Sequence, residues 1–317
     1  MHDQMTQDVK AALEQCRTMI AVGSKSFSLA AKIFRADTRD AAFFLYGWCR
    51  YCDDQVDLKS PADSAADAEK RLEHLQAATR SAFTQEKLAD PVFIALQYIA
   101  RRYNIPEHYP LELLEGMAMD VRGERYKTLN DLLLYCYRVA GTVGLMMTHI
   151  MGVSDEAALE HAVNLGIAMQ LTNIARDITE DAEQGRVYLP LSWLEEIHLS
   201  PEKIDRSENR QKLAQLASRL LTEAEDYYRS GDAGLRYLSF RSACAVAAAR
   251  HVYSEIGNLI NRRGATSWDH RTYVRRGRKL SAVARGMLHV IGSIPNRAQN
   301  PWSRVTISRV QKYSVAH

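Results

Sequence analysis

Apolar side chains recur along most of this chain at three- and four-residue intervals, the period of a helix with one buried face. Alternating strand-like runs between Gly or Asn turns are hard to find. The pattern predicts helices over residues 5–21, 25–34, 38–57, 62–85, 91–103, 110–122, 129–151, 155–181, 190–197, 209–230, 233–262 and 279–292. Gly23, Pro61, Pro91, Pro106, Pro190 and Gly264 punctuate their ends. The expected fold class is all-α. Because no Pro/Gly/Ser-rich linker, internal repeat or low-complexity block interrupts it, and the polar stretches at 59–68 and 198–210 are short enough to be surface loops, one domain over residues 1–317 is expected.

Two helices break the pattern with polar residues at helical spacing. In NIARDITED (residues 173–181), Asn173, Asp177 and Asp181 stand four apart, with Gln170 one turn earlier and Glu180 close by. Residues four apart on a helix lie only about 40° from one another around the axis, so the trio points into one space. In YGWCRYCDDQVD, Tyr46, Arg50, Asp53 and Asp57 form a matching stripe. Stacked carboxylates repel one another, more strongly when partly buried, and a fold that keeps two such stripes must offset the repulsion. Hard divalent cations do this: Mg²⁺ takes one or two carboxylates, keeps several waters and completes its shell with phosphate oxygens. Flanking apolar residues such as Phe43, Phe44, Leu45, Ile167 and Leu171 argue against simple surface decoration. Two acidic helices facing each other across a cavity would hold a diphosphate through bridging metals.

Charge sharpens the picture at the other end of the chain. Residues 261–317 carry twelve Lys/Arg against Asp269 alone, a local charge of +11, whereas residues 1–260 carry −8. Such a basic end suits phosphate-bearing partners, an anionic membrane surface or nucleic acid, or is simply solvated. It has little of the aromatic interleaving of a single-strand binder, so no nucleic acid partner is expected. Cys16, Cys49, Cys52, Cys136 and Cys244 are too few and too scattered for a disulfide framework, which fits a reducing, cytoplasmic setting. Cys49 and Cys52 form a CxxC without the second pair of a zinc site. MHDQMTQDVK is not a secretory signal, and no apolar run reaches the length of a membrane span, so any membrane contact is peripheral.

Five motifs, in order, resemble the squalene and phytoene synthases: VGSKSF at 22–27, DDQVD at 53–57, YCYRVAGTVG at 135–144, NIARDITED at 173–181 and GRVYLP at 185–190. VGSKSF and YGWCRYCDD are similar in wording to the bacterial phytoene synthases, 15-cis-phytoene synthase among them. The likeness runs from Ala21 to Arg285.

The resemblance implies a single helical domain of the isoprenoid-synthase fold with a central cavity. It also implies a prenyltransferase of carotenoid biosynthesis that condenses two geranylgeranyl diphosphates head to head, through prephytoene diphosphate, to phytoene. Mg²⁺ or Mn²⁺ is the implied cofactor, with no NADPH. Asp53 and Asp57 would bind metal on one side, Asn173, Asp177 and Asp181 on the other. Arg50 and Arg176 would grip the same anion, and Tyr46 and Gln170 share these faces. Ser24, Lys25, Ser26 and Phe27 match a segment that closes over the diphosphate, though serines there also read as helix caps. Tyr135 matches a tyrosine lining the reaction centre, where a ring can stabilise a carbocation and a hydroxyl relay a proton. Tyr253 and Arg271 align with positions near the site. Gly141 and Gly144 each weaken a helix by about 1 kcal/mol relative to Ala, which makes sense if a prenyl chain or a neighbouring helix comes close. The basic end would draw anionic substrates in or hold the enzyme on an anionic bilayer.

Other readings remain at this level. Squalene and dehydrosqualene synthases share the motifs and use farnesyl diphosphate. Chain-elongating prenyltransferases and terpene cyclases are expected to show DDxxD. Non-catalytic assembly factors of the same fold lack the carboxylates that are present here.

Overall fold

The computed structural model describes residues 5–23, 30–57 and 64–292, and every regular element among them is helical. The order is α1 (Gln7–Gly23), α2 (Ala36–Val56), α3 (Ala65–Thr84), α4 (Pro91–Tyr103), α5 (His108–Val121), α6 (Leu129–Cys136), α7 (Thr142–Ile150), α8 (Glu156–Glu183), α9 (Leu191–Glu196), α10 (Arg210–Gly234), α11 (Phe240–Arg263) and α12 (Arg276–Gly292). Residues 24–29, with Ser24, Lys25, Ser26 and Phe27 and half of the expected 25–34 helix, lie outside the described residues, as do residues 293–317.

Local sequence explains most boundaries. Ser64 and Thr128 each close a capping box with the Asp three residues on, starting α3 and α6. Asp90 caps α4 ahead of Pro91 at its first position, and the carboxylate of Asp155 accepts from the N–H groups of Ala157 and Ala158 to start α8. Helix α8 buries Ile167, Leu171, Ile174, Ala175 and Ile178 along one side, which leaves Gln170, Asn173, Asp177 and Asp181 on another. It packs between α10, α11 and α7. One apolar cluster joins α6, α8, α10 and the 187–204 segment; a second joins α1 to α5 with α7.

Two expected helices differ. The segment 129–151 is broken by a π-helical turn at Tyr137–Gly141 between α6 and α7. That turn inserts one extra residue, which re-aims everything after it. The expected break near 231 falls later: α10 runs through Gly231 to Gly234, and α11 starts only at Phe240, capped by Ser239. Gly231 and Gly234 lie within this helix against Leu165 and His161, where an added Cβ would come within 3.0 and 2.5 Å.

The glycine-rich stretch is where α7 meets α8 backbone to backbone. A Cβ on Gly144 would lie 2.4 Å from the carbonyl oxygen of Ala162, and one on Gly166 the same distance from that of Ala140. A neighbouring helix therefore occupies the space these glycines leave, and both also line the cavity described below.

Part of the basic end is consumed internally. Glu255, buried on α11, accepts from Arg262 at 2.9 Å, Arg278 at 2.9 Å and Arg285 at 3.3 Å, which clamps α12 against α11. Gly166→Ala is expected to destabilise the fold by about 1–3 kcal/mol through overpacking, despite alanine's better helix propensity. Gly277→Ala, helical and with nothing near its Cβ, should stabilise by up to about 1 kcal/mol. Thermal or urea unfolding of the two variants beside the parent checks both signs.

Candidate active site

The two stripes meet, but not as two parallel helix faces. Asp53 stays on α2, whereas α2 ends at Val56 and Asp57 is already extended, with φ −61° and ψ 139°. Asp57 thus leaves the stripe that its spacing suggested. Its carboxylate accepts from Arg186 at 2.6 Å, across 129 residues of sequence. Arg186 can reach it because the chain turns sharply after α8: Gly185 adopts φ +79°, and the Arg186 N–H returns to the carbonyl of Asp181 at 2.8 Å.

Other arginines interleave with the carboxylates. Arg50 spans Asp53 at 3.2 Å and Asp54 at 2.6 Å. Arg176 forks onto Asp177 through Nε at 2.8 Å and Nη2 at 2.5 Å. Arg271 bridges Asp177 at 3.2 Å and Glu180 at 3.1 Å. These pairs, rather than metal alone, offset much of the repulsion that the stripes create.

The remaining imbalance is specific. Asp181 makes no side-chain hydrogen bond or ion pair among the described residues, and burial followed by the Asp177 charge pushes its carboxyl up to about 7. Burial, then Asp57, pushes Asp53 up to about 6, with Arg50 pulling against them. The side-chain oxygen of Asn173 is buried with no partner among the described residues. Its amide nitrogen donates to Gln170 at 3.3 Å and interacts with the phenol of Tyr253. Tyr46 is half-buried near Arg50 and Tyr253; burial raises its phenol, and Arg50 draws it back.

Three further residues belong here that spacing did not single out. Asp120 at the end of α5 accepts from Tyr135 at 2.8 Å and from Tyr188 at 2.7 Å. Burial raises its carboxyl, and those two hydroxyls pull it back down. Tyr135 and Tyr188 stack with centroids 4.9 Å apart, and Tyr126 completes the aromatic group. Tyr135 therefore sits beside the carboxylates through Asp120 and outside the lining of the main cavity. Arg186 and Tyr188 both lie in GRVYLP, so the motif pointed at them; Asp120 is a lone carboxylate in an apolar turn, which carries no periodic signal.

An apolar cavity of about 290 Å³ opens from this centre. Gln170, Asn173 and Tyr253 form its polar end, and Val143, Met147, Leu165, Leu235, Leu238 and Val246 are among its walls. Along α8 the lining runs from Asn173 back to Ala158, about 22 Å at the helical rise of 1.5 Å per residue.

No three of the described His, Cys, Asp or Glu side chains converge as a ready-made metal cage. The donor set nevertheless fits Mg²⁺ or Mn²⁺: the partnerless Asn173 oxygen and the crowded carboxylates of Asp53 and Asp181 are hard oxygen donors. Such an ion shares its shell with water and substrate phosphate.

The motifs and this geometry agree with comparisons to known proteins. The family model described as squalene/phytoene synthase matches residues 20–278. The chain is 45% identical to the 15-cis-phytoene synthase of Pantoea ananas over 294 residues, covering 90% of this chain and 95% of that one. It is 47% identical to that of Enterobacter agglomerans, covering 83% and 90%. A crystal structure of a dehydrosqualene synthase in complex with ligand superposes with a TM-score of 0.82 at 25% identity, covering 90% of this chain and 99% of that one. A match that runs through the acidic helices and most of the cavity walls has one reading: this chain belongs to the squalene/phytoene synthase family, prenyltransferases of the isoprenoid-synthase fold.

Proposed function

We propose that this enzyme is a phytoene synthase that joins two molecules of geranylgeranyl diphosphate head to head. One observation carries the reading of the site: an apolar cavity whose lining spans about 22 Å of α8 starts where Asn173, Gln170 and Tyr253 adjoin the crowded carboxylates, which supports a long prenyl tail with its diphosphate at the polar end. The relatives named 15-cis-phytoene synthase, at 45% and 47% identity, support the same choice. Dehydrosqualene synthesis from farnesyl diphosphate is the second reading, favoured by the 0.82 TM-score but at 25% identity.

The family is in general dependent on divalent metal. Mg²⁺ or Mn²⁺, held by Asp53, Asp57, Asn173, Asp177 and Asp181, would neutralise the charge that builds on the departing diphosphate. Arg50, Arg176 and Arg271 each turn part of a guanidinium onto a carboxylate and keep further N–H donors for diphosphate oxygens. Ser24, Lys25, Ser26 and Phe27 follow directly on α1 and would close over the same anion. The first allylic diphosphate ionises, the second substrate attacks, and loss of a proton yields prephytoene diphosphate. A second ionisation, rearrangement and loss of another proton give the C40 hydrocarbon, so two diphosphates and two protons leave in all. The aromatic wall of Tyr135 and Tyr188, their hydroxyls turned to Asp120, offers electron-rich faces for passing cations and a route for a proton. With no described helix long and apolar enough to cross a bilayer, contact with an anionic membrane is peripheral in this reading. Cytoplasmic residence accords with five free cysteines.

Incubation of the pure protein with geranylgeranyl diphosphate and Mg²⁺, without NADPH, should yield phytoene on hydrocarbon analysis; turnover confined to farnesyl diphosphate would select the second reading. Ala158→Phe fills the far end of the cavity, and C20 turnover should fall about ten-fold or more while C15 substrates are spared. The raised carboxyl of Asp181 sets a pH signature. Because its folded value of about 7 exceeds its ordinary value of 3.8, the fold holds the proton more tightly than the unfolded chain, so stability falls as pH rises from about 4 to about 7 and the full loss stands above that. Asp181→Asn should therefore abolish turnover yet raise the melting temperature at pH 8, and the gain should shrink as pH falls toward 4; an unchanged melting temperature at pH 8 counts against this electrostatic account.

A further inference from the structure

Asp177 differs from Asn173, one turn away on α8. The side-chain oxygen of Asn173 has no partner among the described residues, but both oxygens of Asp177 are taken. Oδ1 accepts from Arg176 Nε at 2.8 Å, and Oδ2 accepts from Arg176 Nη2 at 2.5 Å and from Arg271 Nη2 at 3.2 Å. A carboxylate oxygen offers two lone pairs, so on Oδ2 both are used. A cation that takes Oδ2 has to displace one of the two guanidiniums.

The two are not equally held. Arg176 grips both oxygens with a planar fork from the adjacent residue, and its side chain is 17% exposed. Arg271 touches Oδ2 with one N–H, sends another to Glu180 at 3.1 Å, and is 59% exposed. Ion pairs as exposed as that are weak and screened by salt. Arg271 is therefore the one that leaves.

Its backbone can stay where it is. Arg271 belongs to the irregular segment before α12, in which Thr272 and Val274 are buried while Arg271 and Tyr273 face outward. Thr272 Oγ1 accepts from Arg263 at 3.0 Å and donates to the carbonyl of Ser267 at 3.1 Å. Arg263 also reaches the carbonyl of Thr266 at 2.9 Å. With the very next residue pinned, a change of rotamer is enough to carry the guanidinium from the carboxylates to an arriving anion.

We propose that Arg271 is an exchangeable counter-ion: it holds Asp177 and Glu180 until a divalent cation and a diphosphate arrive together, and then passes to a diphosphate oxygen. The proposal rests on the metal and diphosphate reading of this site. It makes the two ligands depend on each other. Metal by itself gains Asp177 only by stranding a guanidinium beside a second positive charge, whereas diphosphate gives that guanidinium an acceptor whose geometry it matches. By linkage, whatever factor metal adds to diphosphate binding, diphosphate adds to metal binding.

The test follows thermal unfolding of the full chain with Mn²⁺ alone, inorganic pyrophosphate alone and both together, beside Arg271→Gln and Arg271→Lys, each compared with its own ligand-free baseline. The glutamine variant loses contact and charge. The lysine variant keeps the charge but not the fork that spans Asp177 and Glu180, so it separates displacement from the general field. The parent should be stabilised by the two ligands together and little by Mn²⁺ alone. Both variants should be stabilised by Mn²⁺ alone, with an apparent affinity about ten-fold or more above the parent's, and loss of the free-ion paramagnetic resonance signal should give the same ratio. Arg219→Gln, which removes an arginine paired with Glu196 on α9, should behave as the parent does. Equal Mn²⁺ affinity in the parent and both Arg271 variants overturns the proposal and leaves the metal reading standing. A gain confined to Arg271→Gln also overturns it, by assigning the effect to charge alone. If Mn²⁺ and pyrophosphate together leave the parent's melting temperature unchanged, the metal reading of the site falls with the proposal.

Discussion

Arg186 reaching Asp57 at 2.6 Å is the contact on which the rest of the site depends. It joins the end of α2 to the turn after α8, so the carboxylates of the two helices share one small volume. Without a cation between them, Asp53, Asp57, Asp120, Asp177 and Asp181 would drive their helices apart. Four arginines, Arg50, Arg176, Arg186 and Arg271, make the arrangement tolerable, each from a different direction. The neutralisation is incomplete in its effect: burial and neighbouring carboxylates leave Asp53 and Asp181 with raised carboxyls, each holding its proton more tightly than an ordinary aspartate. Stability given up here is recovered in the apolar clusters on either side.

The cavity follows from a second constraint, close helix approach. Gly144 and Gly166 let the chain on either side of them approach through backbone atoms, and Tyr135 meets Asp120 just before the π-helical turn at Tyr137–Gly141, while Val139, Ala140 and Val143 in and after that turn face the cavity. One short segment therefore serves the polar centre on one side and the apolar wall on the other. The chemistry needs that division, because an allylic cation must form beside its leaving group yet away from water.

At the far end, Glu255 shows how a charge surplus can be partly structural. Three of the arginines in the basic end neutralise this single buried carboxylate and fasten α12. What is left over, in charge and in apolar surface, faces outward along the same helix, so the clamp also determines which apolar face of α12 stays uncovered.

Much of this was legible in the chain itself. Helical periodicity located nearly every element, and four-residue spacing marked Asn173, Asp177 and Asp181, because on a regular helix spacing and direction are the same thing. That equivalence fails where the helix stops. Asp57 belongs to the α2 pattern by count yet lies beyond its last turn, and the π-helical turn at Tyr137–Gly141 divides 129–151 where the apolar period runs on unbroken. Asp120, Tyr188 and Arg186 carry no period of their own, and their roles arise from contacts spanning 15 to 129 residues. By itself the sequence determined the helices, the acidic stripes and the family, since these depend on near neighbours and on motif order. Only the tertiary structure decided which arginine answers which carboxylate and which apolar face of α12 stays uncovered, because both are settled by what distant segments bring to the same place.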